Sequence, residues 1–347
     1  MNRPRQQHYV TRAYLEGFLP TGENRLYVYS RGKSTPFRSL PANVAKIHNY
    51  YSSKQPDGTY DDRVEHMLQT NVEDPGLAVI RQFLLGHYDI SPDDRGRMAV
   101  LLAIQEYRVP WMRQQMEEFT TGMLERFTKS MLDAPGVVEE SLVKLAISDA
   151  TGADTMAETM RAAFRNGDVK VVASPAASLN AMGYALAALF DFYFKMDWEI
   201  LETNSSPFVT SDCPVHRYYV PVRTEIPYSG LLDWRVQVRF PLSSRKMLVL
   251  RHDRNRIEMV RAMHKRGHKR KAFKLISRAP QIRSVRVSAA DVRHINSHTM
   301  VMAARYVFSS TELPDAVEQL QGECMNVRQV LSDYPGGFTE FRAHYPQ

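Results

Sequence analysis

The sequence predicts an α+β fold in which a hairpin and a helical half precede a mostly antiparallel sheet closed by C-terminal helices. Two β-prone runs flank a turn at Arg31-Gly32-Lys33 near the start. Helical patterns follow from about residue 61 to residue 188. From Trp198 onward, short strand-like runs alternate with turn residues, which is typical of an antiparallel sheet.

The chain has 347 residues and 44% hydrophobic content, enough for one large core. We therefore expect a single domain over residues 1–347. A division into a mainly helical part, residues 1–195, and a sheet with helices, residues 196–347, is the alternative.

Local signals define the elements of the first half. The stretch "HYVTRAYLEGF" predicts a short helix from His8 to Phe18, and "RLYVYSRGKSTPFRSL" predicts the hairpin. Ser91 is expected to cap a long helix with Pro92 at its first position. That helix should end near Arg108, just before a proline-containing turn.

In the second half, six runs resemble strands: "DWEILET", "PFVTSD", "HRYYVPV", "WRVQVRFPL", "KMLVLR" and "IEMVRAM". Ser288, with Asp291 three residues later, predicts the start of a helix. A last helix is expected from about Asp315.

Positive charge is concentrated in one part of the chain. Residues 245–293 contain sixteen Lys or Arg and three acids, a local charge of +13, although the whole chain carries only +7. Such a segment attracts phosphate backbones without regard to sequence. We therefore predict a nucleic-acid-binding surface of six residues, Lys265, Arg266, Lys269, Arg270, Lys271 and Lys274.

Several classes of protein are disfavoured. No apolar run approaches the roughly 20 residues of a membrane-spanning helix, and the start lacks the apolar core of a secretory signal, so we expect a cytoplasmic protein without a membrane partner. Cys213 and Cys324 form no closely spaced pair, so neither a disulfide framework nor a cysteine zinc site is suggested. The sequence contains no glycine-rich phosphate loop, GxSxG elbow or dinucleotide fingerprint.

Asp212 follows the short apolar run in "SSPFVTSDCPV" and has two interpretations. At the end of a strand, Asp and Thr commonly bond the backbone two residues on, and this favours a structural turn before Pro214. Alternatively, a carboxylate held at the edge of a sheet suits a metal ion or a general base.

A second set of candidates comes from the N-terminal half. His8 follows two glutamines, and its imidazole can exchange protons near neutral pH. Gln105 and Arg108 lie three residues apart on one helical face, which also fits a plain amphipathic helix. An Arg at a helix end before a proline break is nevertheless well placed to bind a phosphate or a carboxylate in a fork.

These pieces together resemble the prokaryotic DUF4238 family. "QHYVTRAYLEGF", "RLYVYSR", "NVAK", "IQEYRVP", "PFVTSDCPV", "FPLSS" and a final "IN" occur in the order of that family. Thr11 stands where the family usually has proline, and Cys213 stands where it usually has asparagine. The resemblance implies no activity, but it places these residues at motif positions: His8, Gln105, Arg108, Asp212, Pro214, Ser243 and Asn296.

The polar residues at these motif positions come from remote segments of the chain. This pattern favours a single site at which the segments meet. We expect a nucleic-acid-directed hydrolase of the ribonuclease or nuclease type, with RNA or DNA bound by the basic segment. His8 would be general acid or base, Arg108 would stabilise phosphoryl charge, and Asp212 would bind Mg²⁺ or Mn²⁺ or orient the base, with Gln105 and Asn296 completing the site. A non-catalytic nucleic-acid or ribosome-binding protein and an enzyme acting on a small anion are the alternatives.

Overall fold

The computed structural model describes most of the chain, apart from several segments and the C-terminal residues. The described residues are 6–48, 50–51, 53–54, 60–61, 63–145, 147–149, 151–171, 186–220, 231, 233–252, 254–271, 282–313 and 316–320.

Helices make up most of the first half of the chain, as predicted. Over the whole described chain the helices are α1 (Arg12–Leu15), α2 (Arg63–Leu68), α3 (Asp74–Leu84), α4 (Pro92–Tyr107), α5 (Pro110–Asp133), α6 (Val137–Lys144), α7 (Ala153–Asn166), α8 (residues 186–195), α9 (Arg254–Lys265), α10 (Ala289–Met302) and α11 (Ala316–Gln319). A π-helical turn, Gln69–Glu73, joins α2 to α3.

The strands are short and lie mainly in the second half. They are β1 (Gln6–His8), β2 (Leu26–Ser30), β3 (Phe37–Ser39), β4 (Lys46–His48), β5 (Ser53–Lys54), β6 (Tyr60–Asp61), β7 (Asp197–Glu202), β8 (Thr210–Ser211), β9 (His216–Tyr219), β10 (Val236–Pro241), β11 (Lys246–Arg251), β12 (Arg283–Arg286) and β13 (Tyr306–Ser309).

The predicted α+β class is confirmed, and antiparallel pairing dominates. Among the described residues, a five-stranded sheet has the order β12-β7-β11-β10-β9, in which β12 and β7 run parallel and the other neighbours antiparallel. A four-stranded sheet has the order β3-β2-β13-β8. The N-terminal hairpin β2–β3 forms as expected, but its strand β2 pairs with β13 near the end of the chain.

Local capping signals place two helices correctly. The Ser91 side chain accepts a hydrogen bond from the Asp94 N–H, and α4 ends at Tyr107 with Arg108 as its C-cap. Ser288 and Asp291 form a complete capping box at the start of α10. Both motifs satisfy backbone groups that a helix end leaves free.

Two predicted elements are wrong. The segment "IEMVRAM" lies in helix α9, because Ile257, Val260 and Met263 recur every three residues, which suits a helical turn better than a strand. The segment from His8 to Phe18 is not one helix. It begins at the end of strand β1, which pairs with β4, and helical structure starts only at Arg12.

The chain folds as two compact units. The first comprises Met1–Trp111 and Leu186–Gln347, and the second comprises Met112–Ala185. In the second unit, α6 and α7 pack through a core of Leu132, Val138, Leu142, Ala153 and Ala157. Every predicted site residue belongs to the first unit. A single domain over the whole chain stays a prediction.

In the described part of the chain, no helix is long and apolar enough to cross a membrane.

Candidate active site

Strand β1 positions His8 at the edge of a cleft. His8 pairs with Lys46 of β4, and the next residue, Tyr9, donates its N–H to the Ala45 carbonyl at 3.0 Å. Ala45 has a φ of 52°, a left-handed conformation that is unusual for a residue other than glycine. Burial lowers the pKa of the His8 imidazole below its ordinary value, so the ring is neutral at pH 7.

The cleft beside His8 has a volume of about 390 Å³ and is rich in acids. Its lining residues come from the start of the chain and from the α2–α3 region: His8, Thr11, Arg12, Ala13, Glu16, Tyr51, Glu65, Leu68, Gln69, Glu73, Asp74 and Leu77. Gln69 and Glu73 are the two ends of the π-helical turn. Such turns are rare and are frequently found at functional sites.

Arg108 lies directly behind Glu73. Its Nη1 forms an ion pair with the Glu73 carboxylate, and the two side chains are only 4% and 17% exposed. Within the described part of the chain, the Nε and Nη2 atoms of Arg108 and the Nε2 atom of His8 have no hydrogen-bond partner. Glu73 raises the pKa of His8 and Arg108 lowers it, although burial is the larger effect.

Gln105 belongs to the same region. Its Nε2 donates to the Tyr9 carbonyl at 2.9 Å, which fixes the chain immediately after His8 to the last turns of α4. The Tyr50 hydroxyl donates to the Arg108 carbonyl at 2.7 Å. Contacts beside the cleft therefore link the chain at His8 to Gln105, and Arg108 to Glu73, although neither Gln105 nor Arg108 lines the cleft.

Asp212 lies in a different environment. Its Oδ1 accepts the Ala304 N–H at 3.0 Å and its Oδ2 accepts the Arg305 N–H at 2.8 Å. Burial raises the pKa of this carboxyl to about 6, against the opposing effect of these backbone donors. The turn itself is closed by Ser211, whose Oγ accepts the Cys213 N–H at 3.1 Å. Both oxygens of Asp212 thus anchor the segment before β13.

Asn296 of α10 anchors the segment before β8. Its Oδ1 accepts the Val209 N–H at 3.1 Å, and its Nδ2 donates to the Pro207 carbonyl at 2.9 Å. Asp212 and Asn296 therefore hold the two ends of strand β8, and neither lines the cleft. Tyr9 lies near both regions. Burial raises the pKa of its hydroxyl, and the nearby charge of Asp212 raises it further.

The basic segment is exposed. Lys265 and Arg266 follow at the end of α9, and Lys269, Arg270 and Lys271 continue beyond it, all at the surface. In the described residues, none of the five forms an ion pair. Lys274 lies outside the described residues.

Sequence reasoning missed several buried polar groups. Glu73 has no spacing that links it to Arg108. Glu106 could have been noticed within "IQEYRVP", since it pairs with Arg217 at 2.9 Å and accepts the Tyr193 hydroxyl. His216 and His298 stack with ring centroids 5.2 Å apart. Burial lowers the pKa of His216 to about 3.

The metal prediction rested on Asp212. Among the residues that the structure describes, no group of three or more His, Cys, Asp or Glu is arranged to hold a metal ion. Asp212 already uses both oxygens for backbone N–H groups. The requirement for Mg²⁺ or Mn²⁺ stays a prediction.

Comparison with known proteins gives one match. The family described as "Protein of unknown function (DUF4238)" matches residues 6–312. The chain belongs to the DUF4238 family. The resemblance inferred from the motifs is thereby confirmed. No curated protein and no solved structure matches the chain.

The two departures from the DUF4238 motifs fall in the two regions just described. Thr11 lines the cleft, and it precedes α1 without a side-chain capping bond. Cys213 is a buried cysteine next to Asp212. Another motif residue, Ser243, accepts the Arg245 and Lys246 N–H groups and closes the turn between β10 and β11.

Proposed function

We propose that this DUF4238 protein is a nucleic-acid-directed hydrolase of the ribonuclease or nuclease type, acting in the cytoplasm. One observation carries the proposal. The basic residues at and beyond the end of α9 are exposed and form no ion pair within the described residues. This argues against the simpler role of a basic helix paired with acidic helices. Unpaired surface cations bind phosphate backbones by releasing counterions.

His8, which lines the cleft, and Arg108, which does not line it but pairs with Glu73 of its wall, supply groups suited to phosphodiester cleavage. His8 is neutral at pH 7 because burial lowers its pKa, so it is ready to accept a proton from an attacking hydroxyl or water. Arg108 offers two N–H donors that would stabilise the charge developing on the phosphoryl oxygens. Gln105 keeps the backbone beside His8 in place. In this proposal Asp212 and Asn296 position the neighbouring strand.

The second candidate is a non-catalytic nucleic-acid-binding protein. The contacts of Gln105, Asp212 and Asn296 favour it, because all three side chains bond the backbone as structural residues do. In that case the exposed basic segment would account for the whole function. Both candidate functions predict nucleic-acid binding, but only the hydrolase predicts cleavage.

Binding is tested by the affinity for labelled RNA, single-stranded DNA and duplex DNA over a salt titration. Lys269→Ser combined with Arg270→Ser should weaken binding about tenfold and flatten the salt dependence. The matched control combines Arg126→Ser and Lys129→Ser, two exposed cations of the second unit, and should bind as wild type. Equal affinities for the two double variants would contradict the proposed surface.

Turnover is tested with the same labelled substrates, with Mg²⁺, with Mn²⁺ and with a chelator. Wild type should cleave at least one substrate, and His8→Ala should lower the rate by roughly 10²- to 10⁴-fold while binding stays nearly intact. Absence of cleavage by wild type under every condition would leave the binding-protein candidate in place.

A further inference from the structure

Helix α5 of the second unit has almost no buried face. Of its 24 residues, all of which the structure describes, only Leu132 near its end is fully buried. A helix in a protein is held mainly by the packing of one apolar face, because isolated helices are marginal in water. Most of the length of α5 therefore lacks the packing that usually stabilises a helix.

The apolar side chains of α5 nevertheless form a stripe. Four of them are spaced by four residues, which places them along one side of the helix, and we call them the α5 stripe: Phe119, Met123, Phe127 and Met131. Each is between 37% and 63% exposed. Exposed apolar patches of this kind mark interaction sites, and Phe and Met are the residues that proteins favour in adaptable contacts.

The charge of α5 favours a protein partner over a lipid surface. The helix carries three cations and four acids, a net charge of −1. Helices that lie on membranes instead have a polar face rich in Lys and Arg, which anionic lipids attract. We therefore look for a protein surface that matches the charges beside the α5 stripe.

One edge of the α5 stripe changes sign along the helix. Glu118 and Lys129 are eleven residues apart, about three helical turns, so they lie on the same edge, and Arg126 lies one turn before Lys129. Arg126 and Lys129 are exposed and form no ion pair within the described residues. Glu118 accepts the Gln114 side-chain N–H at 3.1 Å. The edge is thus acidic in its first half and basic in its second half.

A second copy of α5 matches this edge if it runs antiparallel. Pairing centred near Met123 places Glu118 of each copy beside Lys129 of the other, whereas a parallel copy would place like charges together. Gly122 lies next to that centre, and a Cβ added to it would meet no heavy atom within 4 Å. The missing side chain leaves room for the close approach of another helix.

We propose that the α5 stripe is the contact surface of a homodimer in which two α5 helices pair antiparallel. The proposal goes beyond the proposed function and does not rest on it. Because the dimer is symmetric, each contact between Glu118 and Lys129 forms twice. One pair of helices is a small interface, so we expect a dissociation constant of about 10 µM. Nucleic-acid titrations at submicromolar protein concentration therefore report on the monomer.

Sedimentation equilibrium of the full chain, from about 1 µM to about 200 µM, tests the surface. Wild type should dimerise, and Phe119→Ser combined with Phe127→Ser should weaken dimerisation at least about tenfold. Thermal unfolding of this double variant should stay close to wild type, since both side chains are exposed. The matched control combines Phe37→Ser and Leu85→Ser, two exposed apolar residues of the first unit, and should dimerise as wild type.

A charge exchange tests the antiparallel pairing. Glu118→Lys and Lys129→Glu each place like charges side by side at both ends of the contact, so each variant alone should dimerise about tenfold more weakly than wild type. An equimolar mixture of the two variants restores opposite charges at both ends. The mixture should therefore form a heterodimer within about threefold of the wild-type affinity. A role of either residue in folding alone does not predict this rescue.

Each result decides the proposal. A wild type that stays monomeric at about 200 µM, unchanged dimerisation of the double Phe variant, or a mixture of charge variants no tighter than either alone would overturn it. A monomeric wild type that the double Phe variant destabilises would show instead that another segment of the same chain covers the α5 stripe. If the double Phe variant fails to fold, the charge exchange decides, because it changes only side chains at the edge of the stripe.

Discussion

Two clusters of polar residues differ in how their polar atoms are used. In the β8 cluster, Asp212 and Asn296, each side chain forms two hydrogen bonds with the backbone. In the cleft cluster, His8, Glu73 and Arg108, three buried nitrogen atoms have no partner among the described residues.

The difference separates two uses of a buried polar residue. Buried polar groups with complete hydrogen bonding stabilise one arrangement of the chain, whereas incomplete hydrogen bonding lowers stability and is typical of sites that act on a ligand. Mutations in the β8 cluster should therefore reduce stability, and mutations in the cleft cluster should reduce function.

The largest expected effect on stability is that of Asp212→Ala. It removes the acceptor of the Ala304 and Arg305 N–H groups, at a cost of about 3 kcal/mol in the free energy of unfolding, because both partly buried bonds are made to a charged group. Urea denaturation of wild type and variant measures this difference. A loss below about 1 kcal/mol would remove the structural interpretation of the β8 cluster.

The pH dependence of stability tests the same carboxyl group. Its pKa is 3.8 in the reference state and about 6 in the fold, so between these values only the folded protein holds the proton. Stability should fall as pH rises across this window, by about 1.4 kcal/mol per pH unit at most. The difference between wild type and Asp212→Asn, measured by urea denaturation from pH 4 to pH 7, isolates this group. A pH-independent difference, or one of opposite slope, would refute the assignment.

Asn296→Ala should have a smaller effect, about 2 kcal/mol, because the Val209 N–H and the Pro207 carbonyl lose one neutral hydrogen bond each. Asn296→Asp provides the sharper comparison, since it retains the acceptor for Val209 and places a second acceptor against the Pro207 carbonyl. Equal stability of wild type and both variants would show that α10 does not hold β8.

The smallest effect on stability should be that of His8→Gln. The His8 Nε2 has no partner within the described residues, so the loss should stay below about 0.5 kcal/mol. The rate of RNA or DNA cleavage should nevertheless fall by roughly 10²-fold or more, because glutamine does not exchange protons. A His8→Gln protein that is much less stable than wild type but still cleaves nucleic acid would show that His8 has a structural role.

The sequence predicted what depends on neighbouring residues. Ser91 and Ser288 cap helices through bonds to residues three positions away, and the hairpin turn at Gly32 closes two adjacent strands. The β-branched residues Ile257 and Val260 predict a strand where helix α9 forms, but their spacing of three residues favours a helix. Local patterns therefore locate most elements and misassign two, the segment of α9 and the segment of β1 and α1.

The remaining features depend on long-range contacts. Strand β2 pairs with β13, almost 280 residues later in the chain, and nothing in either strand specifies its partner. The motif pattern predicts one site from His8, Gln105, Arg108, Asp212 and Asn296, whereas Glu73 is 35 residues from Arg108 and shows no pattern that relates them. Asp212 was predicted to act on a ligand because the sequence does not reveal which backbone N–H groups it would meet.

The cleft cluster is proposed to carry the catalytic function, and the β8 cluster to stabilise the fold. One paired measurement tests this division most directly. Arg108→Lys and Asp212→Asn are compared for the free energy of unfolding and for the rate of nucleic-acid cleavage per folded molecule. We expect Arg108→Lys to unfold within about 1 kcal/mol of wild type and to lose at least about 100-fold in rate. Asp212→Asn should lose about 2 kcal/mol of stability and keep its rate. A stable Asp212→Asn protein without activity, beside a fully active Arg108→Lys protein, would contradict the account.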